Sequence, residues 1–267
     1  LEGQTPLPCV NCNTYLKFDH LVRKMQELEC DYLATGHYAK IVYDQSGKAS
    51  IHTSTDDWKD QTYFLFTIDP ELVPKLLFPV GDMKKPEVRA YSESRGLITA
   101  KKKDSQGICF VGNQGYQNFI KDHVPGKVLA SKKGLIKRFP QNEVMAEHNG
   151  IHNYTIGQSK GLGMDYHEKL FVLKIDSTDN TVWVGDEKYL YSLEVDVIEP
   201  KMLGEIADGE KMQVKIRYQS RGSEAQVFKT ENGYKLKFTE PQRAVTPGQA
   251  AVFYRERELV GGGWITL

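Results

Sequence analysis

Apolar positions recur along this chain in two rhythms, a helical one early and an alternating one late. Between residues 17 and 29 they fall at Phe18, Leu21, Val22, Met25 and Leu28. That three- and four-residue spacing lays one stripe along a helix. Asp31-Tyr32-Leu33-Ala34-Thr35 follows as a short apolar run ending at Gly36-His37. A helix leading straight into a buried strand predicts a parallel α/β layer. Residues 38–43 and 49–53 flank Asp44-Gln45-Ser46-Gly47, a turn sequence, and so predict a hairpin. Residues 85–95 predict a helix with Pro86 in its first turn and Gly96 as its stop. Residues 116–124 predict one more short helix, and residues 101–107 a loop between the two.

Beyond Pro125 glycine becomes frequent and the apolar segments become short and alternating. Residues 171–175, 181–184, 214–218, 225–228, 234–238 and 250–254 all predict strands. Such spacing suits small β-barrels or sandwiches. The expected fold class is therefore α/β followed by β, with soft boundaries near residues 113 and 190.

Composition narrows this only a little. A chain of 267 residues with 40% hydrophobic residues holds two or three domains with real cores and needs no disulfide scaffold. The 35 basic and 35 acidic residues cancel, so any RNA-binding surface must come from local clustering. Four cysteines, Cys9, Cys12, Cys30 and Cys109, are sparse and irregularly spaced, which fits a reducing compartment and a cytoplasmic location. No run approaches the length of a membrane span. The chain starts at Leu1 without methionine, so upstream targeting information is invisible.

The chemistry-bearing residues cluster in a few blocks. Cys9-Val10-Asn11-Cys12 is a Cys-x-x-Cys pair, able to bind zinc, to cycle as a dithiol, or to be incidental. No second pair stands at zinc spacing, so no metal site is expected. A helix beginning near Cys12 would favour its thiolate; the competing reading is a buried, inert cysteine. Cys109 sits in Asp104-Ser105-Gln106-Gly107-Ile108-Cys109-Phe110, just after three lysines. It is either an accessible, electropositive thiol suited to carrying sulfur or part of a buried strand. Gly36 and His37 stand at a strand's carboxyl end, where α/β folds bind ligands; a satisfied structural histidine is the plainer alternative.

Lys59-Asp60-Gln61 precedes the aromatic run Tyr63-Phe64-Leu65-Phe66. These polar residues suit phosphate, base or ribose contacts, or else an exposed helix start capped by Asp60; the aromatics read as core. Arg217-Tyr218 suits phosphate contact and base stacking, or an ordinary barrel strand. Gly261-Gly262-Gly263 lacks the Lys-Ser/Thr of a phosphate loop and is rejected as one.

Taken together and in order, TPLPCVNCN with LKF after it, DYLATGHYAK, KDQTYFLF, LFPVGDMKKPEVR, KKDSQGICFVG, HNYTIGQSKGLG, VKIRYQSR and AVTPGQAAVFY closely resemble the tRNA-specific 2-thiouridylases (MnmA type). The resemblance covers nearly the whole chain. It implies the remnant of an α/β catalytic domain of adenine nucleotide alpha hydrolase type over residues 1–113. A small β-rich central domain would follow over 114–189, then a tRNA-binding C-terminal β-barrel over 190–267. It implies ATP-dependent transfer of persulfide sulfur to C2 of the wobble uridine of tRNA, releasing AMP and pyrophosphate, with magnesium accompanying ATP. Cys12 matches the nucleophile and Cys109 the persulfide carrier, and the two are implied to form a disulfide in one state. Gly36 matches an ATP contact. His37, Lys59, Asp60, Gln61, Arg217, Tyr218 and Gln249 match tRNA contacts, and Leu7, Pro8 and Cys9 the segment beside the target base. Expected partners are the tRNAs for Lys, Glu and Gln and a cysteine desulfurase or sulfur-relay protein.

Two features depart from the family pattern. Leu7-Pro8-Cys9 stands where Asn-Pro-Asp or Asn-Pro-Cys is usual, and the nucleotide loop Ser-Gly-Gly-x-Asp-Ser does not occur in the chain. The second departure implies a tRNA-binding, sulfur-accepting piece without turnover of its own. Another member of the same ATPase superfamily acting on a different substrate, and a redox or zinc module, are the further alternatives.

Overall fold

The computed structural model describes residues 3–102, 111, 116–123, 133–164 and 166–266. Cys109 and its loop lie outside the described residues.

The first helix starts earlier than its apolar stripe predicts. It opens as α1 (Pro8–Asn11) with proline in its first turn, widens into a π-helical segment over Cys12–His20, and closes as α2 (Leu21–Glu27). Val10, Asn13, Phe18, Val22 and Met25 form its buried side. It ends on Glu29 in the left-handed region, φ 54°. The Cys30 amide donates to Met25 O and the Glu29 amide to Gln26 O, the paired bonds that satisfy a helix's last carbonyls. The apolar stripe revealed only the later turns because the first turns bury polar Asn13.

β1 (Leu33–Ala34) pairs in parallel with β4 (Leu76–Leu77), the parallel layer that the sequence predicts. Thr35 N then donates to Leu77 O at 3.0 Å, which sets Gly36-His37 just past the strand's carboxyl end. The predicted hairpin forms as β2 (Ala39–Tyr43) and β3 (Ala49–Thr53). Asp44 Oδ1 accepts from the amides of Ser46 and Lys48 and folds the turn. α3 (Lys85–Ser94) stops at Gly96, φ 67°, and α4 (Tyr116–His123) lies within the predicted span.

In the central part, β5 (Gly134–Arg138), β6 (Glu143–His148), β7 (Phe171–Asp176) and β8 (Thr181–Gly185) order as β6-β5-β8-β7, with β5 and β8 parallel. Ile136, Val172, Val182 and Val184 form its core.

The last part is a closed barrel. It is built from β9 (Tyr191–Met202), β10 (Glu210–Lys215), β11 (Ser223–Thr230), β12 (Gly233–Arg243), β13 (Ala250–Arg255) and β14 (Glu258–Thr266). They run β13-β10-β11-β12-β9-β14, and β13–β14 pairing closes the ring. Closure removes free sheet edges.

β13 is buried on both faces, and the two-residue side-chain period separates two cores. Ala251 and Phe253 point into the barrel core with Val214, Val227, Leu236 and Val260. Ala250, Val252 and Tyr254 point outward into a second core with Val10, Phe18, Ile51, Tyr63, Leu65 and Phe66. The β2–β3 hairpin joins the same sheet through Glu258 opposite His52. The α/β part and the barrel therefore share one hydrophobic interface. The glycines of β14 serve it: a Cβ on Gly262 would stand 2.8 Å from Ala251 O and 2.9 Å from the Phe66 ring. The triplet is a packing device.

Candidate functional site

The π segment directs Asn13, Lys17 and Phe18 at His37. π winding is rare and recurs at functional sites. His37 is 6% exposed, with the rings of Phe18 and Phe78 5.7 and 5.9 Å from its own. Its Nδ1 lies 2.8 Å from Thr35 Oγ1, and its Nε2 lies 3.2 Å from both Lys17 Nζ and Asn13 Oδ1. Burial first, and the Lys17 charge second, push its pKa down to about 4. The imidazole is therefore neutral near pH 7. A lysine ammonium only donates, so Nε2 accepts from Lys17 and Nδ1–H donates to Thr35.

Asn13 continues the network, its Nδ2 donating to Phe64 O at 3.1 Å. That carbonyl belongs to the segment after Lys59-Asp60-Gln61. The Gln61 amide donates to Tyr38 O at 2.9 Å, and Gln61 Oε1 accepts from Tyr38 N at 3.0 Å. Gln61 is thus fixed beside His37. Lys59 is half-buried, its amide donating to Asp56 O.

Asp60 is turned inward. It is 5% exposed, and it does not cap the following short helix, Thr62–Phe64. Its Oδ1 accepts from Ser54 N at 3.0 Å, its Oδ2 from Thr62 Oγ1 at 2.6 Å, and Lys215 Nζ stands 3.6 Å away. Thr62 Oγ1 also lies 3.1 Å from Tyr254 OH, and the Lys215 ammonium sits over the Tyr254 ring. Burial pushes the Asp60 carboxyl above its usual range, against the pull of Thr62, Lys215 and Ser54.

The barrel residues meet the same region. Tyr218 packs on Phe64, ring centres 4.5 Å apart. Burial raises its phenol pKa, and the charges of Asp60 and Cys9 raise it further. Arg217 is half-buried and donates to Ala244 O at 2.5 Å. Burial, then the nearby Arg243 charge, lowers its pKa. Gln249 Nε2 donates to Thr5 O at 3.1 Å, and Thr5 N to Pro247 O at 2.9 Å. These bonds clip the segment leading into Leu7-Pro8-Cys9 onto the barrel. Cys9 and Cys12 are half-buried cysteines; Cys9 lies in the first turn and Cys12 where the π segment begins. Gly36 is exposed, and a Cβ there would meet nothing within 4 Å.

Asn13, next to Cys12, thus joins His37 and Phe64, Gln61 joins Tyr38 beside His37, and Tyr218 packs on Phe64; Lys59 and Arg217 adjoin this set as chain neighbours, and Gln249 holds the segment before Leu7. Cys109 is not placed. Sequence reading missed Asn13, Lys17, Lys215 and Tyr254. Asn13 carried a signal: an asparagine is a poor interior helix residue, so one directly after Cys12 invites the question of what it bonds. A separate cavity of about 1260 Å³ opens between the helix, the central part and the barrel, lined by Leu7, Asn11, Thr14, Thr155, Lys201 and Trp264 among others. Neither Cys12, Gly36, His37 nor Tyr218 lines it. Among the described residues, no helix is long and apolar enough to cross a membrane.

The chain matches three families in succession. The tRNA methyl transferase HUP domain matches residues 1–113, the tRNA methyl transferase PRC-barrel domain 117–186, and the aminomethyltransferase beta-barrel domain 192–265. This succession defines a class of protein in which a HUP α/β unit is followed by two β units, as the fold has it. The chain belongs to the tRNA-specific 2-thiouridylase (MnmA) family. It is 42% identical to the tRNA-specific 2-thiouridylase of Deinococcus radiodurans over 99% of this chain and 69% of that protein. It is 44% identical to that of Rickettsia felis over 100% of this chain and 73% of the relative, and 42% identical to that of Acidithiobacillus ferrooxidans over 98% and 74%.

Proposed function

We propose that this chain carries the base-thiolating site of a tRNA 2-thiouridine synthase: ATP-dependent transfer of persulfide sulfur to C2 of the wobble uridine. The observation that carries the reading is the convergence of the Cys12–Asn13 turn, His37, the Lys59–Gln61 loop and the barrel residues Arg217, Tyr218 and Gln249. Cationic and aromatic groups, Lys17 and Phe18 at His37 and Tyr218 on Phe64, stand near an open strand end, which suits an unstacked base and its phosphates.

The C2 oxygen is a poor leaving group, so ATP, with magnesium, would convert it to an AMP ester and release pyrophosphate. The terminal sulfur of a Cys109 persulfide attacks C2 and AMP leaves. Cys12 thiolate then attacks the Cys109 sulfur, forming the Cys12–Cys109 disulfide and releasing 2-thiouridine. A dithiol reductant restores the two thiols. The sulfur comes from a cysteine desulfurase or relay protein, in the cytoplasm, and the tRNAs are those for Lys, Glu and Gln. Asp60, enclosed by Ser54, Thr62 and Lys215, serves here as the positioning residue that holds Lys59 and Gln61 in place.

Cys12→Ser and Cys109→Ser are each expected to abolish thiolation, read by mass spectrometry of tRNA nucleosides. Substantial 2-thiouridine from either variant would sink the assignment. ATP-dependent turnover by this chain alone would exclude the reading of it as a tRNA-binding, sulfur-accepting unit. The family descriptions that name a methyl transferase support a second reading; S-adenosylmethionine-dependent methylation of tRNA in the same assay would favour it.

Gly36 gives a companion test. Its side is open, so Gly36→Ala should change folding stability by no more than about 0.5 kcal/mol while weakening ATP binding by closing the approach of a ligand to the backbone. Unchanged ATP affinity, measured by calorimetry, would remove Gly36 from the nucleotide site.

A further inference from the structure

A half-buried ammonium can complete its hydrogen bonds with water, and one with no carboxylate beside it is available to a ligand anion. Lys40, Lys215 and Arg138, comparably buried, each face a carboxylate: Asp82, Asp60 and Glu168. Lys17 is also half-buried, yet among the described residues its one hydrogen-bond partner is the neutral imidazole of His37. Of its three N–H donors one is used. Arg217 has the same character, a half-buried cation bonded to a carbonyl, Ala244 O, rather than to a carboxylate. Lys17 bonds His37, and Arg217 adjoins Tyr218, which packs on Phe64.

The His37 contacts explain how Lys17 can be given up. Nε2 lies 3.2 Å from Lys17 Nζ and from Asn13 Oδ1, and the two bonds require opposite roles of that nitrogen. With Lys17 in place Nε2 accepts. When the ammonium turns to another acceptor, the proton can sit on Nε2 and donate to Asn13 Oδ1, while Thr35 Oγ1, able to donate or accept, serves Nδ1. With Lys17 in place Asn13 Oδ1 lacks a donor, and release of the ammonium supplies one, so the second arrangement is the better satisfied. Gly36, next to His37, leaves the adjoining side open.

We propose that Lys17 is the anion-binding cation of this site, taking a phosphate oxygen of the bound substrate beside Gly36 and His37. The inference deepens the thiolation reading. A phosphate oxygen reaches the site from the tRNA backbone or from the AMP ester on the activated base, and the ligand chemistry is the same.

The test uses the thiolation-competent protein carrying this chain, with Lys17→Met, Lys17→Gln and Lys17→Arg. Lys17→Gln keeps a donor for His37 and removes the charge. Met and Gln should both lose roughly ten- to hundredfold in kcat/KM, the scale of one charge-assisted hydrogen bond, and Arg should retain most of it. If the backbone supplies the phosphate, tRNA affinity without ATP falls and the slope of log K against log salt shrinks by about one. If the AMP ester supplies it, tRNA affinity holds and ATP-dependent pyrophosphate release falls. Wild-type activity in Lys17→Gln would overturn the proposal, because a donor without charge would then suffice. So would a loss matched by a fall in melting temperature with salt slope and pyrophosphate release unchanged. Absence of thiolation in the wild type would instead count against the parent reading.

Discussion

Asp60→Ala should lower folding stability by roughly 3–5 kcal/mol, the cost of removing one partner from a buried ion pair. The carboxylate is 5% exposed and joins Ser54 N, Thr62 Oγ1 and Lys215 Nζ. Alanine would leave a buried amide without an acceptor, a buried hydroxyl short of one, and an ammonium facing no charge. The defect falls where Tyr254, Ala250 and Val252 of β13 meet Tyr63, Leu65 and Phe66, so it weakens the joint between the α/β part and the barrel. Asp60→Asn should cost less, since its Oδ1 can still accept from Ser54 N. Lys215→Met in the Asp60→Ala background should recover part of the loss, because it removes the uncompensated charge. Urea unfolding of the four proteins measures this. A loss under about 1 kcal/mol in Asp60→Ala would mean that the network is solvated and that Asp60 is available to a ligand.

That buried position was not legible in the sequence. Lys59-Asp60-Gln61 is three polar residues in a row, and local pattern says nothing about which of them a distant strand will cover. Lys215 and Tyr254 lie far along the chain, so the network exists only once the barrel has closed. What was legible followed from short-range rules. The β2–β3 hairpin and its Asp44 turn, α3 with its glycine stop, and most barrel strands appear where alternation and turn chemistry predict them. Val214 does lie in a strand, but β10 ends at Lys215, short of Arg217-Tyr218. β9 and β14 went unread because Glu-Val-Asp-Val alternation lies beside a proline in one and three glycines interrupt the other. The π segment also escaped, since its buried side carries Asn13. For the site, motif order grouped blocks of which several also meet in the fold, through Asn13, His37 and Phe64, but Lys17 carried no local signal: a lysine in an amphipathic helix reads as solvated surface.

His37 should make the protein acid-sensitive in a definite window. Its folded pKa is about 4, against 6.5 for an ordinary histidine. As pH falls below about 6.5 the unfolded chain takes up a proton that the folded chain refuses, so the unfolded state is favoured. Stability from neutral His37 is therefore complete above pH 6.5, declines between 6.5 and 4, and is flat below. A shift of this size corresponds to roughly 3 kcal/mol at the acid end. His52 and His148 also have lowered values, burial being the first cause in each, and carboxylates titrate in the same range. The measurement is therefore a difference. Stability against pH for wild type and His37→Gln should diverge in slope by close to one proton through that window, with glutamine the less pH-dependent. Coincident slopes would mean that His37 titrates normally and that its ring is open to water. The result bears on chemistry as well as stability. A histidine that stays neutral to about pH 4 is a hydrogen-bonding group at pH 7, whose tautomer follows the position of Lys17, and the resting site holds no imidazolium acid. Thiolation rates should then show no inflection near pH 6.5 that His37→Gln removes.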